Sequence, residues 1–211
     1  GRWDNTVVIF CSDHGDYLGD HFLGEKELFH DCAARLPLIL YDPETSADPT
    51  RGTVNDTLIE SIDLLPTFLE SCHLDQADHI LEGESLMPLV RGAKARRHHD
   101  DVFSELDYAY YDTRRQLNLE PSEARSYMIR TKDWKYIYHR HFRPQLFDLK
   151  NDPGEFVDLG GETSRVSVLK ELADRMFLRL LQLKSRVTES DSTVDARTDV
   201  VEDRGVYIGR W

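Results

Sequence analysis

Residues 6–11, Thr-Val-Val-Ile-Phe-Cys, form a short unbroken apolar run rich in β-branched side chains, and the run stops at Ser12, Asp13, His14 and Gly15. This joint between an apolar run and a polar turn constrains the chain more than any other feature. Apolar residues at every position fit a central parallel strand that is covered on both faces. In open α/β sheets, ligands gather beyond the carboxyl ends of such strands. The turn at residues 12–15 is therefore where chemistry is expected. Residues 36–41, Leu-Pro-Leu-Ile-Leu-Tyr, repeat the texture, with Pro37 at the start where a missing N–H is tolerated. A polar loop lies between the two runs, with a segment of helical character at residues 25–34.

The rest of the chain alternates turns with periodic segments. Residues 42–53 are turn-rich, with Pro43, Pro49 and Gly52. Residues 55–73 carry Leu58, Ile59, Ile62, Leu65 and Leu69 at helical spacing, with Pro66 as a complication. Residues 100–106 read as a strand. From Arg125 the texture changes to short antiparallel strands at residues 126–131, 134–139 and 145–149, with turns at Lys132 and Asp133 and around Pro144. Residues 151–154, Asn-Asp-Pro-Gly, are a further turn. A helical stripe of Val168, Leu169, Leu172, Met176, Leu180 and Leu183 marks residues 164–184. Residues 185–203 are polar and poorly patterned, which reads as an extended arm or disorder, and the chain closes on an apolar tip at residues 206–211 that suggests docking onto a neighbour.

The chemistry-bearing residues concentrate after the first strand. Asp13 and His14 could both face one metal ion if the backbone turns sharply at Gly15. A mixed carboxylate and imidazole set suits Zn, Mn or Fe better than Ca or Mg. The same tripeptide is also an ordinary turn with a side-chain cap. Asp16, Asp20, His21, His30 and Asp31 are further candidate ligands, or a solvated acidic loop. Lys26 is either a surface lysine or, beside a metal, a partner for an anionic substrate. His98, His99, Asp100 and Asp101 have the composition of a metal cluster, but neighbours on a strand point to opposite faces and chelate poorly. His139 and His141 alternate onto one face among Trp134, Tyr136 and Tyr138, which read as sheet packing.

Charge and cysteine count exclude several classes. Lys and Arg total 26 and Asp and Glu total 39, a formal net charge of −13, which argues against nucleic-acid binding through a cationic surface. An anionic small substrate stays open, because a metal and a few local cations dominate a site. The three cysteines, Cys11, Cys32 and Cys72, are odd in number and not closely spaced, so a reducing, cytoplasmic setting without disulfides is expected. Cys11 reads as a small packed hydrophobe. No run approaches a membrane span and no leader is visible.

Residues 4–21, from Asp-Asn-Thr-Val-Val-Ile-Phe-Cys-Ser-Asp-His-Gly-Asp-Tyr-Leu-Gly-Asp-His, resemble the segment of sulfatases and phosphonate monoester hydrolases that supplies two metal ligands, and Lys26 follows at the spacing of the phosphonate monoester hydrolase branch. Four further segments resemble the same superfamily in order: residues 35–39; Asp63-Leu-Leu-Pro-Thr-Phe-Leu; Gly83-Glu-Ser-Leu-Met-Pro-Leu; and the small C-terminal sheet, with residues 134–137 and Leu146-Phe-Asp-Leu-Lys-Asn-Asp-Pro-Gly-Glu155. The resemblance implies an α/β fold: the C-terminal part of an alkaline-phosphatase-like mixed sheet flanked by helices at residues 1–100, a small antiparallel sheet with a packed helix at residues 101–185, and an extended arm at residues 186–211. It implies that Asp13 and His14 bind one divalent metal ion, with Mn, Zn or Fe favoured over Ca because His14 stands where typical sulfatases carry Asn. It implies that Lys26 is the catalytic, substrate-binding cation. Here Glu25 precedes Lys26, where many relatives have Gly.

The family's nucleophile is a formylglycine made from Cys in Cys-x-Pro-x-Arg, and none of the three cysteines fits that pattern. The expectation is therefore a phosphate or phosphonate ester hydrolase whose formylglycine and remaining ligands lie in an N-terminal half, with this chain inactive alone. The expected partners are a small anionic ester, that N-terminal half, and a second copy through the arm, with no nucleic acid and no membrane. Two other readings are an arylsulfatase-type sulfuric ester hydrolase and a non-catalytic oligomerisation module.

Overall fold

The computed structural model describes residues 1–93, 100–185 and 187–202. His98 and His99, and the apolar tip at residues 206–211, lie outside the described residues. Strand β1 (Val8–Cys11), the single-turn helix α1 (Asp31–Ala34) and strand β2 (Leu38–Tyr41) come first. β1 and β2 form a two-stranded antiparallel ribbon, with Val8 opposite Tyr41 and Cys11 opposite Leu38. This corrects the expectation of two parallel strands buried on both faces. The cross-strand pair Phe10 and Ile39 is 59% and 65% exposed, so one face of the ribbon is bare, and Cys11 is exposed rather than packed. Apolar composition alone does not fix strand direction. The consequence for the site is simple: residues 12–37 leave and rejoin the ribbon at the same end.

Helix α2 (Leu64–Ser71) and helix α3 (Met87–Val90) follow. The helix expected over residues 55–73 is confined to its second half. Pro66 sits in the first turn of α2, where backbone N–H groups have no helical acceptor anyway. The two superfamily-like segments here are tied together by polar groups. Asp63 is fully buried; its Oδ2 accepts the Glu60 N–H at 2.8 Å and its Oδ1 accepts the Glu84 N–H at 2.8 Å. Thr67 Oγ1 accepts the Leu86 N–H at 2.8 Å. Gly83 has no room for a side chain, since a Cβ there would lie 2.2 Å from the Ile62 carbonyl oxygen.

Strand β3 (Asp101–Asp107), helix α4 (Asp112–Gln116), and strands β4 (Arg125–Thr131), β5 (Trp134–His139) and β6 (Gln145–Asp148) build the second sheet, an antiparallel meander in the order β3-β4-β5-β6. Helix α5 (Val166–Gln182) covers one face: Ile129, Tyr136 and Leu146 pack on Leu172 and Met176, with Val168, Leu169 and Leu180 alongside. Leu183 lies past the end of α5 and is 41% exposed, so the expected stripe stops one position short. The opposite face is also covered. Met128, Ile137 and Phe147 pack there against Phe29 and Leu149, and Phe29 belongs to the loop between β1 and β2. Burial of both faces explains why these strands lack a clean polar alternation. Each such side chain removed from water contributes about 1.5–3 kcal/mol.

The two halves are joined by charge as well. Glu60 Oε1 accepts the Phe103 N–H of β3 at 2.6 Å, and Glu60 Oε2 accepts from Arg179 of α5 at 2.5 Å. Residues 191–202 form helix α6 (Asp191–Glu202) rather than an extended arm. Ser190 Oγ accepts the Thr193 N–H at 3.2 Å, a side-chain cap on its first turn. Among the described residues no helix is long and apolar enough to cross a membrane.

Candidate active site

The turn after β1 is shaped by its contact with α1. The Gly15 N–H donates to the Ala33 carbonyl at 2.8 Å, and a Cβ on Gly15 would lie 2.1 Å from the Cys32 carbonyl oxygen. Only glycine permits this approach. The Ser12 hydroxyl donates to the His14 carbonyl at 2.7 Å, and Asp13 Oδ1 accepts the His14 N–H at 3.0 Å. The result is a tight turn that presents two donors together: Asp13 Oδ2 and His14 Nε2 lie 3.5 Å apart, with the Asp13 side chain largely in solvent.

That separation fits two ligands of one ion. With metal bonds of about 2.0–2.2 Å in tetrahedral geometry, neighbouring donors stand roughly 3.3–3.6 Å apart. The imidazole is also set correctly. His14 Nδ1 is 2.7 Å from the Gly15 carbonyl, which can only accept, so Nδ1 carries the hydrogen and the Nε2 lone pair of the neutral ring is left for a metal. The Asp13 carboxyl is held below its ordinary range, first by its own backbone N–H, then by His14, with Lys26 adding to the effect. Among the described residues no three His, Cys, Asp or Glu side chains converge as a metal cluster.

Lys26 sits on the loop that follows, with an exposed side chain whose charge reaches both Asp13 and Glu27. The loop is backbone-strained. Leu18, His21, Phe22, Glu25 and Leu28 all have φ between +47° and +81°. Each such residue costs on the order of 1–2 kcal/mol and persists only where its surroundings enforce it. Glu25 has φ +63°, a conformation that favours glycine. Tyr111, from the connection between β3 and β4, donates its hydroxyl to Glu27 Oε1 at 3.2 Å and flanks the Lys26 position.

Several of the other candidate ligands already have partners within the fold. Asp16 Oδ1 caps the Leu18 N–H at 2.8 Å. Tyr17 is fully buried; its hydroxyl is hydrogen-bonded to His30 Nδ1 at 2.7 Å, with donor and acceptor set by the ring's tautomer, and accepts the His30 N–H at 3.4 Å. His21 stacks on His30 with ring centroids 4.1 Å apart and on Phe156 at 5.3 Å. His139 bonds Ser126 and Gln145 within the sheet, whereas His141 lies in the following turn at φ +67°, so the two do not share a strand face.

Asp31 marks what the sequence concealed. Its carboxylate accepts from Lys135 Nζ at 2.6 Å and from Arg130 Nη2 at 3.4 Å. Burial pushes the Asp31 carboxyl up, but Lys135 and then Arg130 more than offset this, leaving it below the usual range. Lys135 also donates to the Phe29 carbonyl at 2.7 Å and contacts Glu155 Oε1 at 2.5 Å. None of Lys135, Arg130 or Glu155 stands out from the sequence as a site residue.

Burial, then the charges of His21 and Lys135, bring His30 down from 6.5 to about 4. The folded chain therefore keeps His30 neutral in a range where the unfolded chain binds a proton. Its contribution is complete above about pH 6.5 and is lost as pH falls towards about 4, a loss of roughly 3 kcal/mol. Urea unfolding at pH 6.5 and 4.5 is expected to show this slope. The variant His30→Gln, which keeps an acceptor for Tyr17 without titrating, is expected to flatten it; an unchanged slope would assign the pH dependence to other groups.

Comparison with known proteins agrees with this architecture. The family model described as N-sulphoglucosamine sulphohydrolase, C-terminal, matches residues 19–182. The chain is 29% identical over 197 residues to the multifunctional alkaline phosphatase superfamily protein PehA of Trinickia caryophylli, covering 92% of this chain and 37% of that protein. It is 30% identical over 159 residues to an arylsulfatase of Clostridium perfringens, covering 75% and 30%. Among solved structures, the phosphonate monoester hydrolase of Silicibacter pomeroyi matches with a TM-score of 0.80 at 27% identity, over 89% of this chain and 37% of that one. The chain thus spans about a third of the length of these relatives.

Proposed function

The chain belongs to the N-sulphoglucosamine sulphohydrolase C-terminal family of the sulfatase and alkaline phosphatase superfamily, and on that premise we propose that Asp13, His14 and Lys26 are its share of a metal-dependent site that hydrolyses phosphate or phosphonate esters. The observation that carries this reading is the pairing of Asp13 Oδ2 with His14 Nε2 at 3.5 Å, with Nδ1 committed to the Gly15 carbonyl. A divalent ion held there would supply Lewis acidity to the ester oxygen and the nucleophile. Asp13 offers a charged oxygen and His14 a neutral nitrogen, a donor set that suits Zn or Mn. Lys26 holds a non-bridging oxygen of the ester and offsets charge that develops there. Glu27 and Tyr111 hold the loop beside Lys26 without touching the reacting atoms.

The nucleophile is not among these residues. Cys11, Cys32 and Cys72 are free, none lies in a Cys-x-Pro-x-Arg pattern, and burial raises the Cys32 thiol. We therefore assign the nucleophile, a formylglycine, and the remaining ligands to further chain of the sulfatase fold, which would cover the bare Phe10 and Ile39 face. A Zn²⁺ titration of the 211-residue chain, followed at the His14 ring by NMR, tests the metal assignment. One ion is expected to shift the His14 resonances, and Asp13→Asn is expected to abolish the effect. A His14 ring that ignores zinc at concentrations on the order of millimolar, where an incomplete site still binds, would overturn it. A sulfuric ester specificity is the second reading, supported by the arylsulfatase similarity. Competition between matched aryl sulfate, phosphodiester and phosphonate substrates separates the two.

A further inference from the structure

Lys135 is fully buried, a placement lysine takes only when it is paired. Its ammonium donates to the Phe29 carbonyl at 2.7 Å and to Asp31 Oδ1 at 2.6 Å, and Glu155 Oε1 lies 2.5 Å away as an ion-pair partner without hydrogen-bond geometry. Two of these oxygens belong to the Lys26 loop and one to the turn after β6. Glu155 Oε2 in turn accepts the Asp31 N–H at 2.5 Å. Buried charges of this kind add little stability over apolar side chains of similar volume, but they fix geometry. The segment they grip is the one with five non-glycine residues at positive φ, a backbone that needs outside restraint.

We propose that Lys135, Glu155 and Asp31 are positioning residues that lock the metal-binding turn and the Lys26 loop onto the small sheet. This rests on the reading of Asp13, His14 and Lys26 given above. The route is short. Asp31 opens α1; the Ala33 carbonyl in α1 receives the Gly15 N–H at 2.8 Å; the Gly15 carbonyl receives His14 Nδ1–H at 2.7 Å. Phe29, gripped through its carbonyl, lies three positions beyond Lys26 on the same loop. The sheet thus acts through α1 and Gly15 on the orientation of the His14 side chain.

The test compares the parent chain with Glu155→Gln, which keeps volume and an acceptor oxygen, and with Lys135→Met, which removes the cation. Amide hydrogen exchange and Zn²⁺ affinity at His14 are measured in each. In Glu155→Gln the Gly15, Asp31 and Ala33 amides are expected to exchange about tenfold faster, while Ile129 and Ile137 in the sheet keep their rates. Zinc affinity at His14 is expected to fall about tenfold, the scale of an orienting partner one step behind a ligand. Lys135→Met is expected to do more of the same; if it does not fold, Glu155→Gln alone decides. Equal acceleration of loop and sheet amides, or unchanged zinc affinity, would overturn the proposal. If the parent chain binds no zinc at His14, the metal reading fails and the exchange comparison still decides the clamp. If the parent binds zinc and the variants leave Gly15 and Ala33 exchange unchanged, the clamp fails alone.

Discussion

Gly15→Ala is expected to destabilise the chain by about 2–6 kcal/mol and to displace His14. An alanine Cβ would stand 2.1 Å from the Cys32 carbonyl oxygen, 3.0 Å from its carbon and 3.1 Å from the Ala33 Cα. All three are backbone atoms of α1, so no side chain can swing aside. The turn must lift off α1, which breaks the bond from Gly15 N–H to the Ala33 carbonyl. Overpacking of this sort costs about 1–3 kcal/mol, and stranding a buried donor about 1–3 more. Gly24→Ala is the control: nothing lies within 4 Å of its Cβ position, so a change within about 0.5 kcal/mol is expected. Equal behaviour of the two variants in urea would mean that the turn is not held against α1 as described.

Asp63→Ala is expected to cost about 3–5 kcal/mol. The carboxylate is fully buried and closes two backbone gaps at once, the Glu60 N–H and the Glu84 N–H. Deleting it strands both donors at about 1–3 kcal/mol each and leaves a cavity. Asp63→Asn keeps one oxygen acceptor and is expected to lose about half as much. A lower urea midpoint at constant slope is the expected signature, since the folded state loses bonds without changing the surface exposed on unfolding. A loss under about 1 kcal/mol for Asp63→Ala would show that the loop at Glu84 does not depend on this carboxylate. The aspartate of one superfamily-like segment and the glycine of another, Gly83 against the Ile62 carbonyl, are two sides of a single joint.

The sheet and the long helix could be read from sequence because their signals are local. Residues 126–139 are rich in β-branched and aromatic side chains and turn at Lys132 and Asp133, and α5 carries its apolar stripe at regular spacing. Strand direction could not be read, because residues 6–11 are equally apolar whether covered on two faces or left bare at Phe10. Helix α6 had a legible start in Ser190, but Val194 is its one apolar residue in the first turn, too little to mark a face. The Asp13 and His14 dipeptide, proposed above as metal ligands, was visible through its turn and its resemblance to a family. Its support was not. Lys135 looks like a solvent-facing lysine among aromatics, and its partner Asp31 is 104 positions away. His30 has the composition of a ligand, and only its burial beside Tyr17 shows that its ring is already committed. Contacts between distant segments leave no periodic trace, so the residues that position a site are less legible than those that face it.

The zinc titration of the chain, repeated with inorganic phosphate and read at the lysine side chains, tests the site most directly. With zinc bound at His14, phosphate is expected to shift the Lys26 Cε and Nζ resonances selectively, and to bind more weakly when zinc is absent or when Asp13 is changed to Asn. A Lys26 signal that ignores phosphate, or that responds no more than Lys132 and Lys150 with or without zinc, would contradict a shared anionic centre for Asp13, His14 and Lys26.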